Sequence, residues 1–322
     1  MTDKTTSKNS TLHGVFPVLP TPFDQDLQPD ETSLRRLVRY LIAAGVDGMT
    51  YPGVASEFSQ LTPAEREHLS QIVMDEVAGR VPVVIGVTSA DAVVTLNLAR
   101  SAAAAGATAL MVAAPPQWTT PKEQIAYFKA LAAAVPDTAL MLQNVPPPVG
   151  AGLEPEVILA IVQAVPQISY IKEESLPSGQ RLTAVLAGAP QSLKGLLGGA
   201  GGRYITDELR RGACGTMPAI ELAEVHVALF AAHHRGDEAK VREIFSRMLP
   251  ILNIQAVFRW SLTKQVLLSR GLIAHAGQRI SGPRLDAIDL ADVSAFMHDL
   301  DDLLLTPEQL RKVMIGSDKE SV

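Results

Sequence analysis

Cysteine is almost missing from this chain: 322 residues carry one, Cys214. A single thiol closes no intrachain bridge, which excludes a disulfide scaffold and fits a reducing compartment. Positive charge is in deficit, with 28 Lys and Arg against 34 Asp and Glu and a net charge of −6. No basic run stands out, so an electrostatic nucleic-acid binder is excluded. Long apolar runs are missing too. Pro, Gly or charge interrupts each one well short of the ~18 residues a membrane-spanning helix needs. Met1 to Ser10 is polar and has no apolar core, so it does not read as a secretory signal. The expectation is a cytoplasmic protein with a disordered leader over residues 1–11 and a tail over 316–322. What the chain does have is hydrophobic residues, at 47%, enough for a large core and too many for a disordered chain.

Those residues fall in a rhythm. Short apolar runs alternate with longer amphipathic segments. The runs are 14–20, 46–51, 82–87, 108–113, 138–143, 168–172, 192–197 and 214–217. The helical segments between them are 31–44, 63–78, 91–105, 122–134, 155–164, 179–187 and 204–210, with an eighth at 219–233. Thr62, Pro63 and Glu65 form a helix start signal, and Gly45 a stop signal. The strands are apolar through most of their length, as when both faces are buried. Eight such units predict an α/β protein, a (β/α)8 barrel over 12–235. Further helices near 237–251, 257–270, 285–303 and 307–315 predict a C-terminal extension over 236–315, packed on the barrel because no linker separates it.

Active sites of such barrels sit where the strands end. Lys172 closes the sixth apolar run, after Ile168, Tyr170 and Ile171. An amine over an apolar barrel mouth is desolvated, which disfavours the ammonium and supplies the neutral nucleophile that a Schiff base requires. The alternative is a strand-end lysine paired with Glu173 or Glu174 at the surface. Lys194 is the competing lysine, placed at the start of its strand and so at the opposite end of a barrel.

Several motifs together resemble the dihydrodipicolinate synthase/N-acetylneuraminate lyase family of Schiff-base aldolases, over about Leu12 to Leu304. Gly14-Val-Phe-Pro-Val-Leu-Pro-Thr-Pro-Phe23 is similar to its first-strand signature. Gly53-Val-Ala-Ser-Glu57, then Leu61-Thr62 and Glu65-Arg66, fit the frame of its second motif. Asn144-Val-Pro146 precedes Ile171-Lys172-Glu173, and Gly212-Ala-Cys-Gly-Thr-Met217 resembles its last-strand glycine motif. The resemblance implies that Lys172 is the nucleophile, that no cofactor is needed, and that the chain forms a homo-oligomer, a tetramer or dimer.

The departures narrow the reading. The family tyrosine that moves protons is Gln143 here, and an amide is neither acid nor base near neutral pH. The threonines that hold the substrate carboxylate are Val54 and Ala55, which leaves backbone N–H groups and Ser56. Pro147, Pro148, Val149 and Gly150 stand where dihydrodipicolinate synthases place an arginine, and Pro115 and Pro116 replace an aromatic pair. The pattern resembles L-2-keto-3-deoxyarabonate dehydratase-like members, in Ser56-Glu57, Gln143-Asn144-Val145-Pro146 and Gly215-Thr216-Met217-Pro218.

The expected function is therefore a lyase on a 2-oxo acid, with dehydration of a 2-keto-3-deoxy sugar acid first. A pyruvate-dependent aldolase or synthase with an undefined aldehyde partner is second, and a non-catalytic 2-oxo acid or sugar-acid binder third. The acid/base that replaces the tyrosine is to be sought among Tyr51, Ser56, Glu57, Tyr170 and Glu173. Each has a plainer role open to it: Glu57 in positioning a loop, Tyr51 in the core, Ser56 in capping a turn, and Gln143 in filling the tyrosine's volume.

Other signals are weaker. Gly198-Gly-Ala-Gly-Gly202 reads as a wall of the substrate pocket or a phosphate cradle, with Gly198, Gly199 and Met217 as substrate contacts. His226, His233 and His234 read as a surface cluster, since no carboxylate stands at metal-ligand spacing, and no metal site is assigned. Trp118 lines the entrance or is a surface aromatic. Cys214 reads as a small buried hydrophobe. The expected partners are the small-molecule 2-oxo acid and other copies of the chain, with neither nucleic acid nor membrane.

Overall fold

The computed structural model describes residues 11–315; the expected leader, apart from residue 11, and the tail over 316–322 lie outside the described residues. Eight strands alternate with helices: β1 (Gly14–Val15), α1 (Glu31–Ala43), β2 (Met49–Tyr51), α2 (Pro63–Val77), β3 (Val83–Gly86), α3 (Ala92–Ala104), β4 (Ala109–Ala113), α4 (Pro121–Ala134), β5 (Ala139–Asn144), α5 (Pro155–Ala164), β6 (Ile168–Glu173), α6 (Ser178–Ala187), β7 (Gly195–Gly198), α7 (Ile205–Arg210), β8 (Gly215–Thr216) and α8 (Ala223–His234). All pairings are parallel, in the order β1-β8-β7-β6-β5-β4-β3-β2. An isolated parallel bridge from Val18, three residues after β1, to Thr50 of β2 closes the ring. This is the (β/α)8 barrel that the alternation predicts.

Local chemistry sets the element ends. Thr62 accepts from the Glu65 N–H while the Glu65 carboxylate accepts from the Thr62 N–H, a reciprocal cap on α2, and Thr120 with Glu123 repeats it on α4. α1 is capped by Asp30 and followed by Gly45 at φ 78°, the left-handed position that glycine tolerates best.

Side chains sort by strand periodicity. Leu110, Val112, Leu140, Leu142 and Ile171 belong to the apolar layer beneath the helices. Met111, Met141, Tyr170 and Leu197 fill the barrel interior with Leu12 and Phe16. Two residues beyond Met141 and Tyr170, on the same inward face, come Gln143 and Lys172. They are direct register partners across β5 and β6.

The remaining helices are α9 (Glu238–Phe258), α10 (Trp260–Ser269), α11 (Ala287–His298) and α12 (Pro307–Ile315). A second apolar cluster joins Val15 of β1 and Ile205 of α7 to residues of α8, α9, α10 and α11. These helices therefore bury one face against the barrel. The junction between α9 and α10, at Arg259, overhangs the barrel mouth. No helix among the described residues is long and apolar enough to cross a membrane.

Candidate active site

A cavity of about 850 Å³ opens at the C-terminal ends of the strands, with Lys172 and Glu174 in its floor. Lys172 follows the alternation of β6 inward, and its side chain is 4% exposed. Glu174 comes just after the strand, where the chain turns back over the mouth. Its Oε1 lies 3.0 Å from Lys172 Nζ. The same oxygen accepts the Gln143 amide at 2.6 Å, and the Ala200 N–H donates to Oε2 at 3.3 Å. Burial alone would raise the Glu174 carboxyl. Attraction to Lys172 and the bonds from Gln143, Lys172 and Ala200 outweigh burial, and the group is held below the usual carboxylate range.

The pairing of a strand-end lysine with Glu174 is thus real, but it lies inside the mouth rather than at the surface. The amine is not surrounded by apolar groups; a carboxylate sits against it. Gly199 makes the arrangement possible. A Cβ there would stand 2.3 Å from Glu174 Cγ and 3.0 Å from Lys172 Cε.

Of the other residues singled out in the sequence, Val54, Ala55 and Met217 line the cavity. Val54 and Ala55 begin a single helical turn, and their N–H groups find no acceptor among the described residues, as expected at a helix start. Gly199 backs the Lys172–Glu174 pair, and Gln143 acts on the cavity through Glu174. Ala200 and Gly201 form part of the wall, the role expected of the glycine-rich segment.

The rest do not reach the cavity. Tyr51 faces the layer under the helices, and its hydroxyl lies 3.0 Å from that of Thr21. Burial drives the phenol far above its usual range, against smaller lowering effects from Thr21 and Arg66. Ser56 accepts from the Gly53 N–H at 2.8 Å and donates to the Leu19 carbonyl, so its hydroxyl is spent on the turn. Glu57 pairs with Lys264 and accepts the N–H groups of Arg279 and Ile280, both at 2.8 Å. It ties the loop after β2 to the C-terminal segment. Tyr170 sits one layer below Lys172, where its hydroxyl accepts the Leu12 N–H at 3.0 Å. Glu173 points outward, because it alternates with Lys172. It accepts from Asn144 at 2.9 Å and from the Ser175 N–H at 2.7 Å, and burial raises its carboxyl to about 7. Gly198 also faces outward, toward Glu208.

Lys194 borders a separate cavity at the strand starts, the opposite end of the barrel. Trp118 packs against Tyr127, with ring centres 4.7 Å apart and the planes tilted by 53°, instead of lining the entrance. His226 is buried, with Nδ1 2.8 Å from the Leu222 carbonyl, whereas His233 and His234 pack around Phe230. The three do not form one surface cluster. Cys214 is half-buried against the Leu196 carbonyl, and burial pushes its thiol up to about 12.

Sequence reasoning missed Glu174 as an acid/base candidate, although its place two residues after Lys172 was a usable signal. It also missed the far wall, built from Arg203, Gln255, Arg259 and Trp260. Trp260 Nε1 donates to the Val54 carbonyl at 2.8 Å, so the C-terminal helices help to hold the turn that carries Val54 and Ala55. Nothing near Lys172 in the sequence signals these residues.

Comparison with known proteins agrees with this fold. The profile of the dihydrodipicolinate synthetase family matches residues 11–280. The chain belongs to that family and is a lyase. It is 33% identical over 244 residues to 4-hydroxy-tetrahydrodipicolinate synthase of Acidobacterium capsulatum, covering 75% of this chain and 80% of that one. L-2-keto-3-deoxyarabonate dehydratase of Azospirillum brasilense is 28% identical over 309 residues, covering 93% of this chain and 98% of that one. The crystal structure of YagE from Escherichia coli K12, in complex with pyruvate, superposes with a TM-score of 0.82 at 26% identity, covering 92% of this chain and 100% of that one.

Proposed function

We propose that this family member is a Schiff-base dehydratase of a 2-keto-3-deoxy sugar acid. The observation that carries the proposal is the Glu174 carboxylate, 3.0 Å from Lys172 Nζ and bonded to the Gln143 amide. The floor of the site holds an amine, an ionised carboxylate and an amide without acid/base capacity. Lys172 attacks the C2 ketone of the substrate, and loss of water gives a cationic iminium. The substrate carboxylate rests on the free N–H groups of Val54 and Ala55. The iminium acidifies C3, and Glu174 takes that proton to leave an enamine. The protonated Glu174 then delivers its proton to the C4 hydroxyl, which departs as water. Hydrolysis of the resulting conjugated iminium releases the dehydrated oxo acid and restores Lys172. Gln143 fixes the carboxylate and takes no proton.

The likeness to the Azospirillum dehydratase along nearly the whole chain supports this reading. A second reading is aldol cleavage, supported by the likeness to the pyruvate complex of YagE; the same iminium then loses C4 after deprotonation of its hydroxyl. We assign the working form to a cytoplasmic homo-oligomer, from the family resemblance. The deciding experiment is borohydride reduction with pyruvate and with 2-keto-3-deoxy pentonates and hexonates, read by peptide mass spectrometry, followed by product analysis. An adduct on Lys172 with a dehydrated product supports the proposal. Pyruvate plus an aldehyde as products moves the assignment to the aldolase, and the absence of any adduct moves it to a non-catalytic binder.

A further inference from the structure

The chain is acidic overall, at −6, yet the described lining of the cavity carries four cations and one carboxylate. The cations are Lys172, Arg66, Arg203 and Arg259, and the carboxylate is Glu174. Lys172 is accounted for by Glu174. Arg66 is committed to the backbone, donating to the Thr88 carbonyl at 2.8 Å and the Gly86 carbonyl at 3.0 Å. Arg203 and Arg259 remain.

Arg203 is half-buried in the far wall and donates to a neutral partner, Gln255 Oε1, at 2.9 Å. Arg259 sits at the rim, in the break between α9 and α10 at φ 42°, with its guanidinium 4.8 Å from the Trp260 ring centre. Neither makes an ion pair among the described residues. Burial lowers the Arg203 guanidinium and repulsion from Arg259 lowers it further, while Tyr204, Glu174 and Glu221 act from outside ion-pair distance to raise it. Two guanidinium groups that repel each other beside an open cavity cost free energy unless an anion joins them.

We infer that the substrate carries a second anionic group, a carboxylate or phosphate at the end distant from the ketone, and that Arg203 and Arg259 receive it. The inference rests on the lyase reading, which places the 2-oxo end of the substrate at Lys172. The guanidinium fork suits either oxyanion, bound by two parallel donors. Arg203 forms the inner contact, and Arg259 closes it from the rim.

The test compares probes of graded distal charge on the full-length protein. They are 2-oxopentanoate with none, 2-oxoglutarate with a carboxylate, and 2-keto-3-deoxy-6-phosphogluconate with a phosphate. The readout is the concentration that gives half-maximal borohydride trapping on Lys172. At least one charged probe is expected to trap at about 10-fold lower concentration than 2-oxopentanoate, as a charge-assisted contact provides, and the better of the two identifies the group. Arg203→Met is expected to raise the trapping concentration of the charged probe about 10-fold more than that of 2-oxopentanoate, and Arg203→Lys to restore part of the preference. Equal trapping of all probes by the wild type, or an equal loss for charged and uncharged probes in Arg203→Met, overturns the inference. If no probe is trapped, the Schiff-base reading fails separately. Thermal stabilisation by glutarate against pentanoate then decides. A larger shift with glutarate that disappears in Arg203→Met supports the distal site, and equal shifts overturn it.

Discussion

Lys172 Nζ and Glu174 Oε1 lie 3.0 Å apart at the barrel mouth, and the oxygen that faces the amine is the one that Gln143 holds at 2.6 Å. Gln143 and Lys172 are register partners on adjacent strands, so the amide, the carboxylate and the amine form one fixed row. Tyrosine at position 143 would offer a proton donor there. Gln143 instead offers a fixed dipole, and the ionisable group it holds beside Lys172 is Glu174.

Glu174→Gln keeps the shape of that row and removes its proton carrier. Schiff-base trapping on Lys172 should persist, because it requires only the amine. Turnover should fall by ~10²–10⁴, the usual contribution of a positioned acid/base. Single-turnover trapping measured beside steady-state kcat separates the two. A variant that traps and turns over like the wild type would falsify the role given to Glu174.

Gln143→Met removes one of the donors that hold the Glu174 carboxylate low. The proton then binds Glu174 more readily, and the acidic limb of the kcat/KM profile should move to higher pH. A lower rate with an unmoved limb would mean that the amide contacts substrate instead of tuning the carboxylate.

The eight units and the place of Lys172 at a strand end were legible in the sequence because both rest on local pattern. Parallel strands buried on both faces read as apolar runs, and Lys172 ends such a run. The place of Glu174 beside Lys172 was not, because it depends on where the chain turns after β6. Glu173 and Glu174 are chemically identical in the sequence, and strand alternation sends one outward to Asn144 and lets the other fold back over the mouth. Arg203, Arg259 and Trp260 were invisible for a different reason. Their place in the site depends on how α9 and α10 pack across the barrel, which no local periodicity encodes.

A buried carboxylate outside the cavity should make stability fall as pH rises. Glu208 is 1% exposed. Burial raises it from 4.5 to about 7, lowered in part by the Ser178 hydroxyl and raised again by Asp207, Glu173 and Glu174. Between those two pH values the folded protein holds a proton that the unfolded chain has released, so the unfolded state is favoured progressively with rising pH, by on the order of 3 kcal/mol in all. Glu208→Gln retains an acceptor for Ser178, 2.6 Å from Oε1 in the wild type, and carries no charge. It should match the wild type near pH 4.5 and be more stable at pH 8. Urea denaturation of both proteins at the two pH values measures the difference, and parallel profiles would show that Glu208 does not titrate in this range.

The pair of Glu57 and Lys264 joins the loop after β2 to α10 with both side chains at 0% exposure. Burial lowers the Lys264 amine to about 8 although Glu57 pulls it upward. Removing either charge strands the other in the interior. Lys264→Met should therefore cost about 3–5 kcal/mol, and Glu57→Gln a similar amount, while the double variant should recover part of the sum. Recovery would be incomplete, since Glu57 also accepts the Arg279 and Ile280 N–H groups and Lys264 donates to the Gly277 carbonyl at 2.7 Å. Neither side chain reaches the cavity, but Glu57 directly follows the turn that carries Val54 and Ala55. Any change in activity should therefore appear in KM more than in kcat, because in the proposed mechanism the turn holds the substrate carboxylate and takes no part in proton transfer. Strict additivity of the two stability losses would show that the charges do not depend on each other, and a fall in kcat alone would place Glu57 among the reacting groups after all.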